Sequence, residues 1–139
     1  MTLSQQQKIF TRMVASLLAF ALDKNGVEIT LGEAFRTPEQ QALYVKAGKS
    51  RTTESLHCHR LAIDLFLWKD GEVTWKIEDY EFLGKKWESL GGVWGGRWPR
   101  LKDAVHFQYG DPRSPEAKEG RAGEQEKGEE VSKRGNESQ

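Results

Sequence analysis

The three histidines, His57, His59 and His106, are the only imidazoles in 139 residues, and they stand at short spacing from aspartates. In Ser55-Leu56-His57-Cys58-His59-Arg60-Leu61-Ala62-Ile63-Asp64, a histidine in a polar stretch precedes a carboxylate set inside an apolar run. An ionised carboxylate in such a run is costly unless it is paired or bound to a metal. Read as a strand, the run puts Ala62, Asp64 and Phe66 on one face and Ile63, Leu65 and Leu67 on the other. Asp64 therefore accepts hydrogen bonds from a neighbouring loop, pairs with Arg36 or Arg60, or holds a cation. The second half of the constellation is Asp103-Ala104-Val105-His106-Phe107, with Asp103 at a loop edge and His106 opening a strand, so that the two side chains can converge. Two histidines and one carboxylate make three protein ligands, the usual complement of a catalytic zinc whose fourth position is left to water. A further carboxylate near that water would serve as general base and then general acid, while the metal polarises a scissile carbonyl. This is the architecture of a zinc peptidase.

The neighbouring residues carry weaker signals. His57-x-His59 could place both rings on one side of an extended segment, yet the binuclear pattern H-x-H-x-D-H is absent, because Leu61 and Ala62 stand where its Asp and His would be. His59 is read as a partly exposed neighbour. Cys58 should oppose the two histidines if the segment is extended, and is read as a buried or inert thiol. Trp68, Trp75 and Trp87 read as core or hairpin residues. Trp94, in the glycine-rich stretch Trp94-Gly95-Gly96-Arg97-Trp98-Pro99, is expected to wall a substrate groove, with Trp98 a weaker candidate.

These residues need a scaffold. Residues 1–110 hold every aromatic side chain, whereas 111–139 carry eight acidic and six basic residues with Val131 as the one large aliphatic. A single domain over 1–110 and a disordered charged tail over 111–139 are expected. The apolar run Met13–Leu22 behind Lys8 and Arg12, with Ala19-Phe20-Ala21, admits a signal-peptide reading. The favoured reading is an amphipathic helix from Ser4 to Lys24, because apolar positions at helical spacing begin before that run. It is too short to span a bilayer. Val27–Leu31 alternates as a strand, and Thr37-Pro38-Glu39-Gln40 announces a helix from Pro38 to Ala47. A polar loop at Lys49–Glu54 precedes a strand at Leu61–Trp68, which turns at Lys69-Asp70-Gly71 into another at Glu72–Trp75. Tyr80, Leu83, Trp87 and Leu90 mark a helix ending at Gly91-Gly92, and Ala104–Tyr109 is the last strand. The order implies an α+β domain, a small antiparallel sheet with flanking helices. Lys+Arg 21 against Asp+Glu 21 gives no net charge, which argues against a nucleic-acid partner, and one cysteine excludes an internal disulfide framework.

The pattern S-x-H-x(6)-D followed by D-x-x-H resembles that of the zinc D-Ala-D-Ala carboxypeptidases of the VanY and VanX kind and the phage endolysin L-alanyl-D-glutamate peptidases. The resemblance runs from about Phe10 to Tyr109 and includes Glu33-Ala34-Phe35-Arg36-Thr37, Gly48-Lys49-Ser50, Ser55-Leu56-His57, Leu61–Leu65, Gly91–Gly96 and Val105-His106-Phe107. It implies a hedgehog/D-Ala-D-Ala-peptidase-like fold, His57, Asp64 and His106 as Zn2+ ligands, and Asp103 as the general base. It also implies Arg36 as the cation that steadies the oxyanion, and Ser55 as a polar contact near the substrate. Three positions depart from the family: Arg60 and Gln108 stand where it often has Gly and Glu, and Ala34 replaces a common Gly. Arg60 is expected to crowd the mouth of the site, and Gln108 to remove a carboxylate behind the last ligand.

The expectation is a monomeric zinc peptidase of bacterial peptidoglycan peptide stems, without stable membrane insertion. It would be a phage or prophage lysis enzyme made in the host cytoplasm, cutting either the L-Ala-D-Glu or the terminal D-Ala-D-Ala bond. Two other readings stay open: a zinc-stabilised binding module without catalysis, and a phage wall-docking component.

Overall fold

A computed structural model describes residues 1–50 and 55–110; the expected tail at 111–139 and residues 51–54 of the polar loop lie outside the described residues. Helix α1 (Leu3–Leu22) starts earlier than its periodicity suggests, because Thr2 and Gln5 close a reciprocal capping box. Phe10, Met13, Leu17 and Ala21 form its buried stripe, and Phe10 meets the edge of Trp87 at a 5.7 Å centroid separation. Helix α2 (Pro38–Lys46) begins where the Thr37 hydroxyl accepts the Gln40 N–H at 3.1 Å, and Gly48 leaves it at φ +76°.

Strand β2 (Ala62–Lys69) is the spine of the sheet. It pairs antiparallel with β1 (Glu28–Leu31), β3 (Glu72–Val73) and β5 (His106–Gln108), and β4 (Val93–Trp94) pairs antiparallel with β5. The order is β1-β2-β5-β4, with β3 also on β2. Asp70 and Gly71 carry the hairpin between β2 and β3 at φ 52° and 79°, the twist a two-residue turn requires.

β1 loses only Val27, but two strands are much shorter than expected. β3 stops before Thr74 because Thr74 turns to helix α3 (Ile77–Ser89): its hydroxyl bonds the Asp79 carboxylate at 2.5 Å, and its carbonyl accepts from Tyr80 Oη at 2.8 Å. β5 loses Ala104 and Val105 to a turn closed by His106 N–H on the Asp103 carbonyl at 3.2 Å. Ile63, Leu65 and Leu67 join α1, α3, Trp94 and Phe107 in one apolar cluster, while Asp64 and Phe66, on the other face of β2, are half-buried. The result is the expected α+β arrangement.

Candidate metal centre

His57 lies in a 3-10 turn, Leu56–His59, whose first N–H groups are met by Ser55: its hydroxyl accepts His57 N–H at 3.2 Å. The turn corrects the reading of an extended segment. Its three-residue period sends His57 inward, 1% exposed, while Cys58 is half-buried and His59 faces solvent with its carbonyl accepting from Gln7 Nε2 at 2.8 Å. Arg60 ends the turn at φ 55°, a conformation that glycine adopts at lower cost.

Asp64 and His106 are direct cross-strand partners, so their side chains share a face of the sheet. The Asp64 backbone is anchored on its other edge by Gly32 N–H to its carbonyl at 2.7 Å and by its own N–H to Glu33 at 3.0 Å. Arg36 N–H donates to the His57 carbonyl at 3.1 Å, tying the segment before α2 to the 3-10 turn. Gly95 lies beneath His106: a Cβ there would come within 2.5 Å of the Asp103 carbonyl and 3.1 Å of His106 Cβ. Only glycine fits that approach.

Three donor atoms converge. His57 Nε2 is 3.2 Å from Asp64 Oδ1 and 3.2 Å from His106 Nδ1, and His106 Nδ1 is 3.6 Å from Asp64 Oδ1. Donors 2.0–2.1 Å from a tetrahedral metal stand roughly 3.3–3.4 Å apart, so the triangle has the size of a metal's ligand set. Asp64 Oδ1 is buried without an aligned hydrogen-bond partner among the described residues, although two ring nitrogens lie within reach. Close approach without hydrogen-bond alignment fits atoms aimed at a shared cation. His57, Asp64 and His106 thus form a cluster able to chelate a metal ion.

The two aspartates are tuned in opposite directions. Burial works to raise the Asp64 carboxyl, but His106 and His57 outweigh it and bring it down to about 2. Burial pushes the Asp103 carboxyl above the ordinary carboxylate value, with His106 opposing and the Asp64 charge adding to the rise. One carboxylate stays ionised in the cluster while the other is eased toward proton exchange.

Both aspartates line an open groove of about 1040 Å³ together with Arg36, Ser55, Trp98, Trp75 and Phe66. Asp64 pairs with neither Arg36 nor Arg60. Arg36 is held by the Glu33 carboxylate and by Gln41 Oε1 at 2.7 Å, with Ser55 Oγ at 3.5 Å from its Nη1. Glu33, quoted only as part of the resembling motif, and the fully buried Gln41 were given no role from sequence; for Glu33 the signal was its place in that motif, three residues before Arg36.

A family model for D-alanyl-D-alanine carboxypeptidases matches residues 48–109. The peptidoglycan L-alanyl-D-glutamate endopeptidase CwlK of Bacillus subtilis (strain 168) is 34% identical over 113 residues, covering 68% of this chain and 68% of CwlK. The chain belongs to this family of metal-dependent peptidoglycan peptidases. An L-alanyl-D-glutamate peptidase of Listeria phage A118 is 36% identical over 103 residues, 71% of this chain; the chain spans 36% of that relative's length. The crystal structure of Serratia marcescens L-Ala D-Glu endopeptidase ChiX superposes with a TM-score of 0.58 at 30% identity, covering 71% of this chain and 76% of ChiX.

Against the family pattern, several expectations need correction. Trp94 does not wall the groove: it is fully buried, sandwiched against Gly84 and Gly96, with Nε1 donating to the Ala104 carbonyl at 2.8 Å. Trp98 takes the wall position, its ring 4.9 Å from that of His106. Trp75 is exposed beside the groove against Phe66, whereas Trp87 is core. Arg60 does not crowd the mouth; its guanidinium stacks over Phe35 at 4.2 Å. Gln108, expected to remove a carboxylate behind the last ligand, keeps an acceptor there: its amide oxygen lies 2.8 Å from His106 Nε2.

Proposed function

We propose that this chain is a zinc-dependent peptidase that hydrolyses the peptide stems of bacterial peptidoglycan. The observation that carries this reading is the His57, Asp64 and His106 triangle opening into the groove that Asp103 also lines. Two imidazoles and a carboxylate at tetrahedral separation favour zinc over the oxygen-preferring Mg2+ and Ca2+. A bound zinc supplies Lewis acidity, making a water nucleophilic near neutral pH and polarising the scissile carbonyl. Asp103 takes the water's proton and returns it to the leaving amine nitrogen, a role suited to a carboxyl raised by burial. Arg36, pinned by Glu33 and Gln41, steadies the negative charge that develops on the carbonyl oxygen. Ser55 acts through position: it caps the turn that carries His57 and meets Arg36.

The names of CwlK, ChiX and the phage relative support the L-Ala-D-Glu bond as the target. The description of the matching family model supports the terminal D-Ala-D-Ala bond as the second reading. We further place synthesis in a bacterial host cytoplasm and action on the wall, by a monomer serving phage or prophage lysis. Among the described residues no helix is long and apolar enough to cross a membrane.

The test combines zinc content of the purified protein with release of new amino termini from peptidoglycan, for wild type and Asp103→Ala. One zinc in both, with cleavage by wild type alone, is expected, and the exposed residue names the bond. Zinc in both without cleavage would turn the reading to a binding module. Absence of zinc after controls for chelation would remove the basis of the reading.

A further inference from the structure

Gln108 stands two residues beyond His106 on β5, on the same face of the strand, opposite the small side chain of Ala62. Its amide oxygen lies 2.8 Å from His106 Nε2, while His106 Nδ1 is the ring nitrogen in the cluster, 3.2 Å from His57 Nε2 and 3.6 Å from Asp64 Oδ1. A neutral imidazole carries one N–H and one lone pair, so a proton fixed on one nitrogen leaves the other as the ligand. Resting on the metal reading above, we propose that Gln108 is a positioning residue. By accepting the Nε2 hydrogen, it keeps Nδ1 unprotonated and turned toward His57 and Asp64.

The amide's orientation and the ring's tautomer form one unit. With its NH2 group toward His106, Gln108 would require a lone pair on Nε2, move the proton to Nδ1 and remove a ligand. Trp98 restrains the same ring from another side, at 4.9 Å between centroids and 46° between planes, and so limits tilt without choosing a tautomer. His57 has no equivalent support: its Nδ1 is buried without a hydrogen-bond partner among the described residues. As an amide, Gln108 is a neutral acceptor, and a carboxylate in its place would hold the Nε2 hydrogen more strongly. Its loss is expected to weaken zinc binding about 10–100-fold, the usual cost of removing a hydrogen-bond partner behind a ligand.

The test uses the full chain in two ways. In the metal-free protein, 15N NMR of the neutral His106 ring is expected to show the Nε2–H tautomer in wild type and to lose that bias in Gln108→Leu. With added zinc, competition against a chromophoric chelator is expected to rank Gln108→Glu tightest, wild type next and Gln108→Leu weakest. A wild-type ring in the Nδ1–H tautomer would overturn the proposal, as would zinc affinity unchanged across the variants. If the leucine variant does not fold, the wild-type tautomer and the Glu variant still decide. A wild type that binds no zinc sinks the metal reading, whereas the tautomer, read without metal, still decides the role of Gln108.

Discussion

Ile63, Leu65 and Leu67 point from β2 into a core with Leu17, Leu83, Trp87 and Phe107, while Asp64 and Phe66, one residue away in each case, face the groove. The core face gains from removing apolar surface from water, and it tolerates no shift, because a slip of one residue would turn every aliphatic outward. The groove face gains little of that kind. It holds an ionised carboxylate with a poorly aligned oxygen and a second carboxyl that burial disfavours as an anion. The register imposed by the core places Asp64 opposite His106. The apolar face thus sets the geometry of the polar one.

The comparison breaks most visibly at the ligands. His106→Ala is expected to reduce cleavage to background and to abolish zinc binding, measured by metal analysis beside the peptidoglycan assay, while the core keeps the domain folded. Asp103→Asn separates chemistry from stability. Activity is expected to fall about 10²–10⁴-fold with zinc retained, since the general base is gone. Its melting temperature should rise: a carboxyl raised in the folded state is ionised against the preference of the fold, and the amide removes that charge.

On the core side, Trp94→Ala should cost about 3–5 kcal/mol in denaturant unfolding, as expected for an aromatic side chain packed between two glycines. Trp98→Ala sharpens the contrast, with less than about 1 kcal/mol of stability lost but a raised KM, because its ring lies along the groove. Between those two in size stands the pH dependence of Asp64 in the metal-free protein. Its folded value near 2 lies below the 3.8 of a free carboxyl, so its contribution of about 2 kcal/mol is present above pH 4 and is lost as pH falls toward 2. Asp64→Asn, followed by acid unfolding, should remove that slope.

Much of the scaffold was legible before the structure. Caps, helical spacing and the Asp70-Gly71 turn predict α2, α3 and the β2–β3 hairpin, because local chemistry decides them. The residues that meet in the cluster were legible from type and spacing, and from the resemblance. What was not legible depended on distant partners. Whether Trp94 or Trp98 turns inward is decided by Gly84, on a separate helix, as much as by Gly96 beside them. The 3-10 turn at Leu56–His59 reverses an argument based on an extended chain, and nothing local distinguishes the two until Ser55 caps it. Gln108 looked like the loss of a carboxylate, and only the strand face shows its amide oxygen against His106.

The separation of the ligands along the chain has one further consequence. His57 and His106 lie 49 residues apart, so a metal held by both would tether the middle of the domain to its last strand and close a long loop reversibly. Before β5 docks, His57 and Asp64 are in place without His106, beside a groove that still lacks Asp103 and Trp98. Metal uptake would therefore report that β5 had paired with β2.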